Sequence, residues 1–298
     1  MQKPDSEIAV LRDQILAFYD LDIERHFCDA GGIRTFYLRA GSGHPLVMLH
    51  GAGGCGVFWA PVIGRLSRHF SVIVPDVVGY GESDKPDGRY DRPYFVHWLR
   101  AFLDAVAVEK AGLVGNSQGG AIAIQFAIDN PHRVSHLVPV CAAGLCRGRD
   151  LDWGALVNVL IAQIMAPERW TQRLARYLIH DARNFPLDAG IRYFSAVTGM
   201  PGGKRAFLNG RGRAVRPFKR RELAKVQCPA LILWGAEDRI IKPSAPLMTR
   251  RATADATVAC MPHCGHTPFI DQPAVFARRV TDFILQKGAY ARITGQSV

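Results

Sequence analysis

The 298-residue sequence lacks an apolar run long enough to cross a bilayer. Its first residues, MQKPDSEIAVLRDQ, carry charges where a secretory signal would need its apolar segment. It also lacks paired cysteine spacing. The seven cysteines (Cys28, Cys55, Cys141, Cys146, Cys228, Cys260 and Cys264) are scattered and odd in number, so they read as free thiols, mostly small core residues. These absences lead to the expectation of a soluble cytoplasmic protein with no integral membrane contact. Internal repeats and low-complexity segments are missing too.

Acidic charge is in short supply: 26 Asp and Glu stand against 37 Lys and Arg, a net charge of +11. The deficit is local, because residues 145–229 hold 16 Lys and Arg but only 6 Asp and Glu. A solvated helical surface accounts for such a segment, as does a surface that attracts anionic substrates or acidic lipid head groups. Nucleic acid is not an expected partner, since the basic residues have no aromatic interleaving and match no nucleic-acid motif.

With 48% hydrophobic and 21% charged residues, the composition is globular and the chain is long enough to bury a large core. Residues 6–19 place Ile8, Leu11, Ile15 and Phe18 on one helical face, which predicts a docked N-terminal helix; if exposed, it leaves room for a homodimer contact. Two short strands follow near 22–28 and 33–39. Compact apolar runs then recur at 46–49, 72–74, 112–114, 137–140, 231–234 and 258–261, with helical patterns at 59–68, 94–106, 118–129 and 273–286. Uninterrupted apolar strands suit a parallel sheet covered on both faces. Between 145 and 216 no good strand is legible, and helical spacing links Leu156, Leu160, Ile161 and Ile164, and then Trp170, Leu174, Tyr177 and Leu178. The expected organisation is an α/β core of residues 1–144 and 217–298 with a helical insertion at 145–216.

The strongest chemical signal is Gly115-Asn116-Ser117-Gln118-Gly119, between the apolar run ending at Val114 and the helical pattern that follows. This is G-x-S-x-G in the strand, turn and helix context it requires. Glycine at 115 and 119 relieves crowding on the tight turn, and the helix beginning at Gln118 aims its N-terminal dipole at charge developing beside Ser117. A hydroxyl needs an imidazole to take its proton, and the imidazole needs a carboxylate to fix its tautomer. Asp238 follows the apolar run 231–234, and His266 follows the run 258–261. The order is Ser, Asp, His, each beyond a strand's C-terminal end, where open α/β sheets form their sites. Glu237 is the neighbouring rival for the acid. The loop His50-Gly51-Ala52-Gly53-Gly54 can turn backbone N–H groups toward a substrate oxygen, whereas it lacks the order of a phosphate-binding loop. His50 reads as a brace for that loop. Cys260, His263, Cys264 and His266 lie close in sequence, but a structural zinc site usually needs a second separated ligand pair, so no metal and no cofactor are expected.

This order and context resemble the α/β-hydrolase superfamily over most of the chain, from about Asp22 to Gln286. Residues 75–84, PDVVGYGESD, are similar to that superfamily's turn after its fourth strand, and the insertion stands where the family places a cap. The resemblance implies the α/β-hydrolase fold, with a mostly parallel sheet, a helical cap, and an oxyanion hole of the Gln118 and Ala52 amides with Gly53 as an alternative. It implies a serine hydrolase acting on a small-molecule carbonyl compound. Gly115–Gly120 also fits the Gly-Asn-Ser-x-Gly-Gly of carbon–carbon bond hydrolases of aromatic-ring degradation, for which Arg192 is the candidate cap arginine. Those enzymes usually carry proline in the glycine-rich loop and tryptophan after the histidine; this chain has Thr267-Pro268. Ester or lactone hydrolysis is therefore the leading expectation, carbon–carbon cleavage the second, and a hydrolase-fold ligand receptor the non-enzymatic alternative. Substrate-binding candidates are Gly53, Cys55, Phe58, Asn116 and Arg192, with Trp59, Tyr80, Trp153 and Trp170 as further aromatic pocket candidates.

Overall fold

The apolar runs become one eight-stranded sheet in the computed structural model, which describes residues 4–21, 23–146, 150–152, 154, 157, 161, 168–210, 212–244 and 256–285. The strands are β1 (Glu24–Asp29), β2 (Arg34–Ala40), β3 (His44–Leu49), β4 (Phe70–Pro75), β5 (Ala111–Asn116), β6 (Val134–Val140), β7 (Ala230–Gly235) and β8 (Ala256–Met261), in spatial order β1-β2-β4-β3-β5-β6-β7-β8. The β1–β2 and β2–β4 pairs are antiparallel, and all other pairs are parallel. β4, β5 and β7 are buried along their whole length, as their unbroken apolar sequences require. β8 closes one edge and is only half-buried.

Helices α1 (Pro4–Ala17), α2 (Ala60–Leu66), α3 (Arg92–Ala105) and α4 (Gln118–Asp129) precede the insertion. Within it lie α5 (Glu168–Leu178), α6 (Leu187–Gly199) and α7 (Arg205–Gly210); α8 (Arg220–Leu223), α9 (Pro268–Asp271) and α10 (Pro273–Leu285) follow. α3 starts where Asp91 accepts a hydrogen bond from the Tyr94 N–H (3.2 Å), and its Phe95, Trp98, Leu99 and Phe102 are buried at helical spacing. α1 buries Ile8, Leu11, Ile15 and Leu16. Phe18, expected on that face, is 56% exposed, because the helix stops at Ala17 and the chain turns with Asp20 at a positive φ. The apolar face of α1 is docked within the molecule, and Val10 on the same helix is exposed.

The insertion is tied at both ends. The Phe218 N–H donates to the Gly144 carbonyl (2.8 Å), and buried Arg92 of α3 donates to the carbonyls of Ala214 (3.1 Å) and Arg216, with its guanidinium over the Phe218 ring. Arg12 of α1 donates to both oxygens of Glu82 (2.9 and 2.8 Å), and Glu82 also accepts from the Tyr193 hydroxyl of α6 (3.0 Å). The N-terminal helix, the turn after β4 and the insertion thus share one half-buried polar cluster. Leu174 is buried in α5 as its spacing predicts. The helical pattern of Leu156, Leu160 and Ile164, and the side chains of Trp153 and Trp170, lie outside the described residues.

Close approach of α4 to the sheet fixes the turn that carries Ser117. A Cβ at Gly119 would collide with the backbone carbonyls of Leu49 and His50, which cannot swing aside as a side chain can. Gly119→Ala is expected to lower the unfolding free energy by about 1–3 kcal/mol, the usual range for overpacking. Gly199→Ala, where a Cβ meets nothing within 4 Å, stays within about 0.5 kcal/mol. Urea-unfolding midpoints of the two variants check this.

Candidate active site

Ser117 occupies the turn between β5 and α4 with φ +52° and ψ −115°, a conformation that costs a non-glycine residue on the order of 1–3 kcal/mol. The turn is over-determined by its surroundings. The Ser117 N–H donates to the Val140 carbonyl (3.0 Å), and its own carbonyl accepts from Ala121 (3.2 Å) and Ala143 (3.0 Å). Side chains at Gly115 and Gly120 would strike the backbone of Gly119 and the Cβ of Ala142. Directly behind Ser117 begins the 12-residue helix α4, whose first-turn amides have no intrahelical acceptor and whose dipole is positive at this end.

The glycine-rich loop after β3 faces the same turn. A Cβ on Gly51 would stand 3.1 Å from that of Ser117, so only glycine allows the loop this close without adjustment. His50 braces the loop from below. Its Nε2 accepts from the Val77 N–H (2.9 Å), which leaves Nδ1 to donate to the Gly51 carbonyl (2.8 Å). Full burial pushes its pKa down to about 4, so the imidazole stays neutral at physiological pH.

Asp238 lies just beyond β7, both of its oxygens engaged. Oδ1 accepts from the N–H groups of Ile240 (2.8 Å) and Ile241 (3.0 Å), and Oδ2 is 2.8 Å from His266 Nδ1. Both side chains are buried. Trp234 in β7 donates from Nε1 to the Ile241 carbonyl (3.1 Å), which ties the Asp238 loop to its strand. Glu237 turns the other way and accepts from the Cys264 N–H (2.8 Å). Cys260 is exposed and Cys264 buried, so the late Cys/His run does not converge as a ligand set; among the described residues the metal-capable donors that do gather are Cys141, Asp238 and His266.

His266 is positioned through its main chain by two elements distant in sequence. Its N–H donates to the Leu178 carbonyl at the end of α5 (2.8 Å), and its carbonyl accepts from the Asn116 side-chain amide (2.9 Å). That amide also donates to Val140 (3.2 Å). Sequence reasoning missed Asp271. One of its oxygens accepts from Gly265 (2.7 Å), and the other accepts from the N–H groups of His180 and Asp181 (both 2.8 Å), clamping the His266 loop to the chain leaving α5. A carboxylate five residues after the histidine in an otherwise apolar Pro-Phe-Ile stretch was the available signal.

Ser117, His266, Ala52 and Asn116 line one cavity of about 280 Å³, the low end of ligand-pocket sizes. The core contributes Phe58, Trp59, Phe269 and Ile270 to its wall; the insertion contributes Leu174, Leu178, Leu187, Ile191 and Phe194. Among the described residues no Asp, Glu, Lys or Arg lines it. Several expected substrate contacts are corrected here. Arg192 is exposed on the outer side of α6, one position from Ile191 on the wall, because successive helical residues diverge by about 100°. Cys55 is buried behind the loop, where burial and nearby Asp76 push its thiol pKa well up. Gly53 turns the loop with φ +71° and lies off the wall, and Tyr80 packs edge-on against His50. Asn116 reaches the wall, yet both amide hydrogens are committed to carbonyls, so it braces His266 in place of reaching outward with a donor.

A serine on a strained turn, an imidazole oriented by a buried carboxylate and a helix N-terminus around one apolar cavity can together move a proton and stabilise an oxyanion. Known proteins bear on which family shares this arrangement. Residues 46–279 match the model of the alpha/beta hydrolase family. The chain is 36% identical over 282 residues to a 2-hydroxymuconate semialdehyde hydrolase of Pseudomonas sp. strain CF600, covering 88% of this chain and 94% of the relative. It is 34% identical over 271 residues to a 2-hydroxy-6-oxo-2,4-heptadienoate hydrolase of Pseudomonas putida F1, covering 86% and 94%. Among solved structures, a bacterial membrane phospholipase A superposes with a TM-score of 0.81 at 25% identity, covering 94% of this chain and 91% of that one. From the strained serine turn to the sheet order, the fold and the matches agree: the chain belongs to the alpha/beta hydrolase family.

Proposed function

We propose that the protein is a serine hydrolase that cleaves a small to medium, largely apolar carboxylic ester or lactone by acyl transfer. The observation that carries this is the buried 2.8 Å contact between His266 Nδ1 and Asp238 Oδ2, on the cavity that Ser117 also lines. In this reading Asp238 accepts a hydrogen bond from His266 Nδ1–H, which leaves Nε2 as the acceptor for the Ser117 hydroxyl proton. The Ser117 oxygen attacks the substrate carbonyl, and the amides of Gln118 and Ala52 hold the resulting oxyanion. His266 returns the proton to the leaving group, and water, activated by the same imidazole, releases the acyl group. Residues 145–216 act as a cap over residues 1–144 and 217–298. Cytoplasmic location is part of the same reading; among the described residues no helix is long and apolar enough to cross a membrane.

Neutral substrates are favoured by the wall. An ionised group desolvated in this cavity would meet no cationic side chain among the described residues. Carbon–carbon bond cleavage is the second reading, and the two Pseudomonas relatives favour it. Against it, their substrates carry a carboxylate by name, and Arg192 does not reach the cavity. A panel of p-nitrophenyl esters and lactones beside 2-hydroxy-6-oxo-2,4-heptadienoate separates the readings. The ester reading expects the larger kcat/KM on esters; a larger value on the dienoate transfers the assignment to carbon–carbon cleavage. Negligible turnover of every compound with tight binding of one identifies a receptor.

Two variants test the machinery. Ser117→Ala is expected to abolish both turnover and labelling by a fluorophosphonate. Asp238→Asn is expected to lower kcat by about 10⁴-fold. The reason is geometric: the Ile240 and Ile241 N–H groups require the amide oxygen at Oδ1, so the NH₂ faces His266 Nδ1. That donor forces the proton onto Nε2, where it can no longer accept from Ser117. Stopped-assay kcat and fluorophosphonate labelling measure these outcomes.

A further inference from the structure

Cys141, the residue after β6, keeps a side chain at φ +42°, where glycine would carry none of the strain. Its main chain is pinned there, since its N–H donates to the Leu233 carbonyl of β7 (2.9 Å). The side chain is fully buried, and its sulfur stands where three elements meet. It accepts from the Gly235 N–H at the end of β7 (3.4 Å) and lies 3.8 Å from the carbonyl of Gly265, the residue before His266. The sulfur, a carboxylate oxygen of Asp238 and a ring nitrogen of His266 also lie within 4.8 Å of one another. The packing leaves little slack: a Cβ on Gly235 would strike the carbonyls of Cys264 and Gly265. A mere filler at position 141 would be served by glycine, without the strain.

We propose that Cys141 is a positioning residue for the Asp238–His266 pair, its thiol donating to the Asp238 carboxylate beside the Ile240 and Ile241 amides and the imidazole. A thiol has one hydrogen to give. The Gly235 N–H occupies an acceptor site of the sulfur, so that hydrogen turns to the Gly265 carbonyl or to Asp238, and a charged carboxylate is the stronger acceptor. Burial, and then the charge of Asp238, push the thiol pKa well up, so the hydrogen is present across the working pH range. Asp238, His266 and Cys264 are the titratable groups that face this sulfur among the described residues; Cys264 stays a neutral thiol, its own pKa pushed up to about 12 by burial. A further donor draws off part of the carboxylate charge that a protonated imidazole would otherwise meet. It thereby tempers the pull of Asp238 on Nδ1–H and makes His266 readier to release the proton taken from Ser117. The inference rests on the serine-hydrolase reading for that kinetic consequence alone.

The test compares full-length Cys141→Ala, Cys141→Gly and Cys141→Ser with the unaltered protein on two readouts. One is the proton resonance of His266 Nδ1–H, assigned by its loss in Asp238→Asn and read without substrate. The other is the rate of fluorophosphonate labelling against pH. Without the thiol Asp238 is the stronger acceptor, so the resonance should move downfield in the alanine and glycine variants. The acid limb of their labelling profiles should rise by about half a pH unit, a roughly three-fold change in the proton equilibrium. Cys141→Ser keeps a donor and should leave both readouts near their original values. Cys141→Gly also relieves the strain, so its agreement with Cys141→Ala assigns the effect to the thiol. Coincident readouts in all four proteins overturn the proposal, as does a glycine variant matching the unaltered protein or a serine variant matching alanine. The two readings fail separately. An unaltered protein that resists labelling, with the resonance shifting as stated, would sink the proposed function and leave the role of Cys141 standing.

Discussion

A carboxylate removed from water must have its oxygens satisfied, and the way Asp238 meets this requirement organises the site. Two backbone N–H groups on one oxygen fix the side chain's orientation, so the other oxygen faces His266 Nδ1. The imidazole is thereby held in one plane and one tautomer. Neighbouring elements support that pair, and Ser117 lines the same cavity as His266. Trp234 holds the Asp238 loop, while Asn116 and the Leu178 carbonyl hold the backbone of His266.

The same contacts bind the insertion to the core. Leu178 is the last residue of α5, and its carbonyl accepts the His266 N–H; Asp271 then joins the loop of His266 to the turn after α5. A shift of α5 would therefore be felt at the imidazole as well as at the cavity wall. On the far side, α6 shares Glu82 with Arg12 of the N-terminal helix. The insertion is braced on both flanks, and the apolar cavity between them owes its shape to these braces as much as to side-chain packing.

Much of the fold was legible because parallel strands buried on both faces must be continuous apolar runs. Each of the runs at 46–49, 72–74, 112–114, 137–140, 231–234 and 258–261 falls within an observed strand, and the helical pattern at 118–129 coincides with α4. Phe18 misled because periodicity does not say where a helix stops. Cys55 and Arg192 misled for a related reason: nearness in sequence to the glycine-rich loop, or a place within residues 145–216, says nothing about which way a side chain faces. Asp271 was marked only by a carboxylate in an apolar stretch and the bracing role of Asn116 by nothing local, since most of their partners are backbone groups tens of residues away.

What the sequence determined by itself was the order of strands and helices, the serine turn with its obligatory glycines, and the candidate residues for the chemistry. These are local properties, dictated by periodicity, steric crowding on one tight turn, and the need of a hydroxyl for a base. Only the tertiary structure decided that Asp238 and not Glu237 meets the histidine, and that the cavity wall carries no charge among the described residues. Those outcomes depend on which backbone amides and which helix faces converge in space, and no local pattern encodes that convergence.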